Sequence, residues 1–150
     1  QLQPNLLHLS VLHAEQLLAH HERQPSFNLA SVRVVSIGAS AVSESLRQRL
    51  RAQLGAALHI NYGTNETLTV AFAYPSDLDK ATGVVGRPPQ GVRVEVMDTD
   101  NQPLGPGQIG QVRVCSPAQI AGYMGGSDPE RFREGWFYPG DSASKRLDMW

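Results

Sequence analysis

Along this chain the apolar positions change their spacing, and the changes mark out its elements. In "SVRVVSIG", Val32, Val34, Val35 and Ile37 form a nearly continuous apolar run ending at Gly38-Ala39-Ser40, as in a strand covered on both faces. In "VSESLRQRLRAQLG" the spacing becomes helical, with Leu46, Leu50 and Leu54 on one side and Arg47, Arg49 and Arg51 expected to point elsewhere. Ser43 or Ser45 can cap the start of this helix and Gly55 can end it. A second buried strand, Ala57 to Ile60, follows. Strand, helix and strand within about 30 residues make a βαβ unit, with parallel strands and a right-handed crossover. Upstream, "NLLHLSVLHAEQLLAHHER" reads as a short strand or loop and then a helix through Leu17 and Leu18.

Near Pro75 the texture shifts to short strands separated by glycine and proline, as in "GRPPQGV" and "PLGPGQIG". Val92, Val94 and Val96 alternate with Arg93 and Glu95. The chain turns through Asp98 to Pro106, and Val112 and Val114 then alternate with Gln111 and Arg113. Period two with one apolar face means a half-buried sheet. The expected fold class is α/β: a parallel βαβ sheet portion followed by a small antiparallel sheet or distorted barrel. Residues 1–74 are expected to end an α/β subdomain and 75–150 to form a β-rich one.

Composition narrows the function classes. With 41% hydrophobic and 18% charged residues, the 150-residue chain is that of a soluble globular protein. A net charge of -1 gives no broad electrostatic surface for nucleic acid or anionic lipid, which leaves a small molecule as the expected partner. One cysteine, Cys115, excludes an internal disulfide and makes a reducing, cytoplasmic setting the expectation. No apolar run approaches the roughly 20 residues of a membrane helix. Gln1 at one end and Met149-Trp150 at the other read as the ends of an excerpt from a longer protein.

Parallel strands send their carboxyl ends to one edge, so Gly38-Ala39-Ser40 and Asn61-Tyr62-Gly63-Thr64 should emerge together, where open α/β sheets bind ligands. In "YGTNE", Tyr62 can stack on a base, Gly63 lets backbone approach closely, Thr64 and Asn65 can donate to phosphate, and Glu66 offers a hard oxygen to Mg²⁺. The same five residues also make an ordinary strand-ending turn. In "WFYPGDSA", Asp141 follows a Pro-Gly turn, where its carboxylate either accepts ribose hydroxyls or closes an Asx turn. Other motifs carry less. "SIGASA" lacks the glycine spacing of a nucleophile elbow. Asp98 and Asp100 have Pro103 where a calcium loop needs glycine, and "GYMGG" is not followed by the lysine of a phosphate loop.

In order, "SIGASAVSESL", "INYGTNET", "GVVGRPPQGVRVEVMD", "GQIGQVRVCSPAQIAGYMG" and "GWFYPGDSA" resemble the adenylate-forming superfamily of acyl-CoA synthetases, peptide-synthetase adenylation domains and luciferase. That resemblance implies an ATP-dependent carboxylate ligase acting in two steps. A carboxylate attacks the α-phosphorus of ATP and pyrophosphate leaves; a thiol, of CoA or of carrier-protein phosphopantetheine, then takes the acyl group from the acyl-adenylate and AMP leaves. It implies that Gly38, Ala39 and Ser40 border the adenine and acyl pockets, and that Asn61, Tyr62, Gly63 and Thr64 belong to the nucleotide site. Tyr62 corresponds to the adenine-stacking ring, Glu66 to the Mg²⁺ ligand and Asp141 to the ribose-binding aspartate. Glu66 and Asn65 are the implied catalytic positions, with Asn65 where the family usually has threonine and Gln111 where it usually has glutamate. "RFREGWFYPGD" resembles the CoA-ligase style more than the peptide-synthetase style. The family's phosphate loop and its catalytic lysine, in a small C-terminal domain, lie outside these residues, so the excerpt alone is expected to be inactive. A non-catalytic scaffold relative is the alternative from another class, and an unrelated βαβ binding domain a third.

Overall fold

In the computed structural model, residues 3–24, 29–126 and 128–146 are described. Two units divide the chain, Gln1–Tyr62 with Phe72–Gly86 and Gly63–Ala71 with Arg87–Trp150.

The first unit opens with strand β1 (Leu6–Ser10) and helix α1 (Val11–Arg23), which Ser10 caps by accepting from the His13 amide. Strand β2 (Val34–Gly38), helix α2 (Glu44–Leu54) and strand β3 (Ala57–Thr64) complete the expected βαβ order. Strand β4 (Leu68–Ala73), of which Phe72 and Ala73 belong to this unit, and the short helix α3 (Pro75–Leu78) follow. The sheet order is β1-β2-β3-β4. β1, β2 and β3 are parallel, with Ile37 opposite Leu9 on one side and Ile60 on the other. Ser43 accepts from the Leu46 amide and Gly55 ends α2 in the left-handed conformation, so both caps follow from local sequence. Ala14 and Leu18 of α1 are buried, as are Leu46 and Leu50 of α2 and Val35, Ile37, Leu58 and Ile60 of the sheet. Each large side chain of this kind stabilises by about 1.5–3 kcal/mol.

Three features differ from the sequence expectation. Arg47 does not point away from the apolar stripe; it is 3% exposed. Positions 46, 47, 50 and 54 share one helical face, and the guanidinium reaches past the core to donate from Nη2 to the Val84 carbonyl at 3.1 Å. Burial holds that guanidinium below its usual range. Secondly, β3 does not stop at Ile60 but continues through Tyr62, Gly63 and Thr64. Thirdly, β4, which no sequence period announced, follows directly. A neighbouring strand gives extended residues 61–64 backbone partners that an isolated turn would lack. Gly63 fits the arrangement, since a Cβ there would lie 2.4 Å from the Leu68 carbonyl oxygen.

The second unit is the antiparallel one. Strands β5 (Arg93–Met97), β6 (Ile109–Cys115), β7 (Phe132–Arg133), β8 (Trp136–Phe137) and β9 (Ser142–Ser144) form a five-stranded sheet in the order β5-β6-β8-β7, with β9 also on β6. Val94 lies opposite Val114 and Val96 opposite Val112, all buried, while Glu95 lies opposite Arg113 on the other face. There Arg113 donates to Glu95 and lies over the Trp136 ring, as Arg93 also does. Cys115 shares that face, its sulfur 3.2 Å from Arg93. Asp98 accepts from the amides of Asp100 and Gln102, the self-bonded turn typical of aspartate.

Candidate functional site

In the first unit, Gly38 ends β2 directly opposite Asn61 of β3. A Cβ on Gly38 would lie 2.5 Å from the Asn61 carbonyl oxygen, so only glycine allows this approach without moving a strand. Ala39 follows at φ 70°, in the left-handed region, and with Ser40 it is exposed ahead of the capped start of α2. Of the expected meeting of Gly38-Ala39-Ser40 with Asn61-Tyr62-Gly63-Thr64, Gly38 and Asn61 lie side by side at the carboxyl end of β2, and β3 runs on past them. Asn61 Oδ1 is buried and accepts no hydrogen bond among the described residues, an acceptor that a ligand amino group would satisfy. Tyr62 beside it is half-buried.

In the second unit, the turn after β3 is built on Thr64. Its hydroxyl accepts from the Thr67 amide at 3.1 Å and pairs with the fully buried Thr67 hydroxyl at 2.9 Å. Thr64 thus shapes the turn, and Asn65 at its tip is exposed. Segment 116–123 braces the same turn from outside: Ser116 Oγ donates to the Thr67 carbonyl at 3.0 Å, and the Ile120 amide to the Glu66 carbonyl at 2.9 Å. The Tyr123 hydroxyl donates to Glu66 Oε1 at 2.8 Å. Asp141 has a different support. Arg131 donates from Nη1 to the carbonyls of Tyr138 and Pro139, fixing the turn before Asp141, whose own carbonyl accepts from the Val112 amide at 2.9 Å.

Partial burial opposes ionisation of Glu66, but the Tyr123 hydroxyl, the residue's own amide, the Thr64 hydroxyl and the charge of Arg131 together hold its carboxyl below the usual range. The counterpart is Tyr123, whose phenol is pushed up first by its bond to Glu66 and then by burial. Glu66 is therefore an oriented, fully ionised carboxylate near neutral pH. Among the described residues no group of three or more His, Cys, Asp or Glu side chains could hold a metal. One ionised carboxylate without a protein cage fits Mg²⁺, which keeps several waters and takes its remaining oxygens from substrate phosphate. Tyr123 and Ser116 were not singled out from sequence, because their partners lie 57 and 49 residues away; Arg131, whose partners are seven and eight residues on, was not singled out either. "GYMGG" drew notice as a failed phosphate loop and as the end of a family motif, without a role for Tyr123.

The sequence model of the AMP-binding enzyme family matches residues 1–124. The chain belongs to this family. Within it, an uncharacterized acyl–CoA ligase of Bacillus subtilis (strain 168), YhfT, is 33% identical over 110 residues, covering 73% of this chain and 23% of that protein. The fatty acid–[acyl-carrier-protein] ligase ScoC of Streptomyces coeruleorubidus is 31% identical over 122 residues, covering 77% and 24%. Among solved structures, the amide bond synthetase McbA from Marinactinospora thermotolerans superposes with a TM-score of 0.82 at 32% identity, over 97% of this chain and 30% of McbA. This AMP-binding chain spans about a quarter of the length of the curated relatives it matches. It has the mixed α/β and antiparallel architecture of its structural neighbours, and Asp141 lies beyond the stretch matched by the family model.

Proposed function

We propose that this chain is the nucleotide-holding part of an ATP-dependent carboxylate ligase, which forms an acyl-adenylate and passes the acyl group to the thiol of CoA. The observation that carries the reading is the Glu66 carboxylate, ionised and braced on the turn that follows Asn61-Tyr62. Tyr62 stacks on adenine and the buried Asn61 Oδ1 accepts from an amino group of the base. Gly63 lets β4 backbone pack closely beside this turn, Asn65 donates from the turn tip to a phosphate oxygen, and Asp141 accepts the ribose hydroxyls. Gly38, Ala39 and Ser40 border the base and acyl side of the site. Glu66 holds Mg²⁺, which when bound offsets negative charge on the phosphate oxygens. Donors fixed on this turn favour the transition state because they need no reorganisation as charge moves to the leaving pyrophosphate.

The named relatives differ, by their names, in the bond they make: YhfT is an acyl–CoA ligase, ScoC joins a fatty acid to acyl-carrier protein, and McbA synthesises an amide bond. CoA is preferred here because YhfT has the higher identity of the two curated relatives; carrier-protein phosphopantetheine is the second reading. The test is pyrophosphate release by the full-length parent with ATP, Mg²⁺ and a panel of carboxylic acids, each with CoA or a carrier protein. Release that depends on one acid and collapses in Glu66→Ala and Asp141→Ala is the expected result. Well-folded protein that releases none with any acid would instead make the chain part of a non-catalytic scaffold.

A further inference from the structure

We propose that Tyr123 is a positioning residue for Glu66: its hydroxyl, donating to Oε1 at 2.8 Å, selects the carboxylate orientation that meets a divalent cation. The inference rests on Glu66 being the metal ligand proposed above and adds a residue, in a different segment, on which that role depends.

Glu66 is half-buried on its turn, and a glutamate has enough rotatable bonds to take several directions there. A metal ligand must hold one direction, and groups hydrogen-bonded behind a ligand commonly set it. Tyr123 can do so because it is itself fixed at both ends. Its ring packs edge-on against Phe132 at 5.3 Å, and Phe132 packs at 5.0 Å on Phe137 of the core, which is 2% exposed. Its backbone closes a tight turn with Gly126, where Gly125 and Gly126 both take positive φ. Tyr123 is 42% exposed, so water could satisfy its hydroxyl equally well. Its bond to Glu66 therefore contributes orientation far more than burial. The charged and titratable neighbours acting on the pair are Arg131, which favours the carboxylate, and Asp128, which acts on the phenol.

The test compares wild-type full-length parent with Tyr123→Phe and Glu66→Gln. Two readouts are used: Mn²⁺ affinity in the presence of ATP, by electron paramagnetic resonance at pH 7.5, and titration of the Glu66 carboxyl by ¹³C NMR in the nucleotide-free protein. Tyr123→Phe keeps the ring on Phe132 and should keep the melting temperature. It should titrate Glu66 at a higher pH and weaken Mn²⁺ about tenfold, the lower end for loss of a group behind a ligand, given the exposure of Tyr123. At pH 7.5 Glu66 is ionised in both proteins, so weakening there reports orientation rather than charge. If Glu66→Gln loses Mn²⁺ while Tyr123→Phe binds it as wild type does, the positioning role is wrong and the metal assignment stands. If Glu66→Gln binds Mn²⁺ normally, the metal assignment fails and takes this proposal with it, whatever the NMR titration shows.

Discussion

Replacing Gly38 by alanine tests whether strand contact at the carboxyl edge holds the site together. The φ of Gly38 is not in the left-handed region, so alanine meets no backbone penalty there. It meets a neighbour instead. The new methyl carbon would lie 2.5 Å from the Asn61 carbonyl oxygen, roughly 0.9 Å short of ordinary contact. That oxygen is backbone in a paired strand and cannot rotate away, so β2 and β3 must part where Asn61 and Tyr62 begin. Overpacking of this kind costs about 1–3 kcal/mol. Taking about 2 kcal/mol, the melting temperature should fall by roughly 4–8 °C on the scale of a chain of 150 residues. The control is Gly55→Ala, where nothing lies within 4 Å but φ is 58°. It isolates the left-handed backbone penalty of about 1–2 kcal/mol away from the edge. Differential scanning fluorimetry of both variants in the full-length parent, with and without ATP, separates the causes. Gly38→Ala should lose ATP affinity as well as stability, while Gly55→Ala should lose stability alone. If Gly38→Ala binds ATP as wild type does, the contact between Gly38 and Asn61 does not shape the nucleotide site.

Two further outcomes follow from charge. The folded pKa of Glu66 lies below its ordinary value of 4.5, so the carboxylate stabilises the fold above that value, and the contribution is lost as pH falls through the lower folded pKa. Glu66→Gln should therefore flatten the acid limb of melting temperature against pH below about pH 5; superimposable acid limbs in the two proteins would refute this. Arg131→Met leaves the carbonyls of Tyr138 and Pro139 without their donor. Because Arg131 is only half-buried, water replaces part of the loss, and the cost should be about 1 kcal/mol rather than the 1.5–3 kcal/mol of a fully buried charged bond. Its larger effect should be on binding. Preference for ATP over 2′-deoxy-ATP, measured by titration calorimetry, should shrink as the turn carrying Asp141 loosens, and an unchanged preference would count against Arg131 as the support of that turn.

Where an element is specified by its own residues, the sequence alone determined it. The run through Val35 and Ile37, the leucine stripe with Ser43 and Gly55 at its ends, and the matched alternation of Val94 and Val96 with Val112 and Val114 each write the period of their structure into a short window. That was enough to determine the parallel βαβ unit, the antiparallel sheet and, through the ordered motifs, the family. The motif "YGTNE" likewise marked the position of the turn bearing Glu66, though not the length of the strand before it. Everything that depends on a distant partner was decided only by tertiary structure. β3 runs on to Thr64 because β4 lies beside it, and Arg47 is buried because a carbonyl thirty-seven residues away accepts from it. Glu66 is held by a tyrosine fifty-seven residues on, and the turn of Asp141 by an arginine at the other end of a small hairpin. Hydrophobic period and capping are local and repeat often enough to be read. A single hydrogen bond between remote side chains leaves no period, and it exists only once the sheet has brought its two ends together.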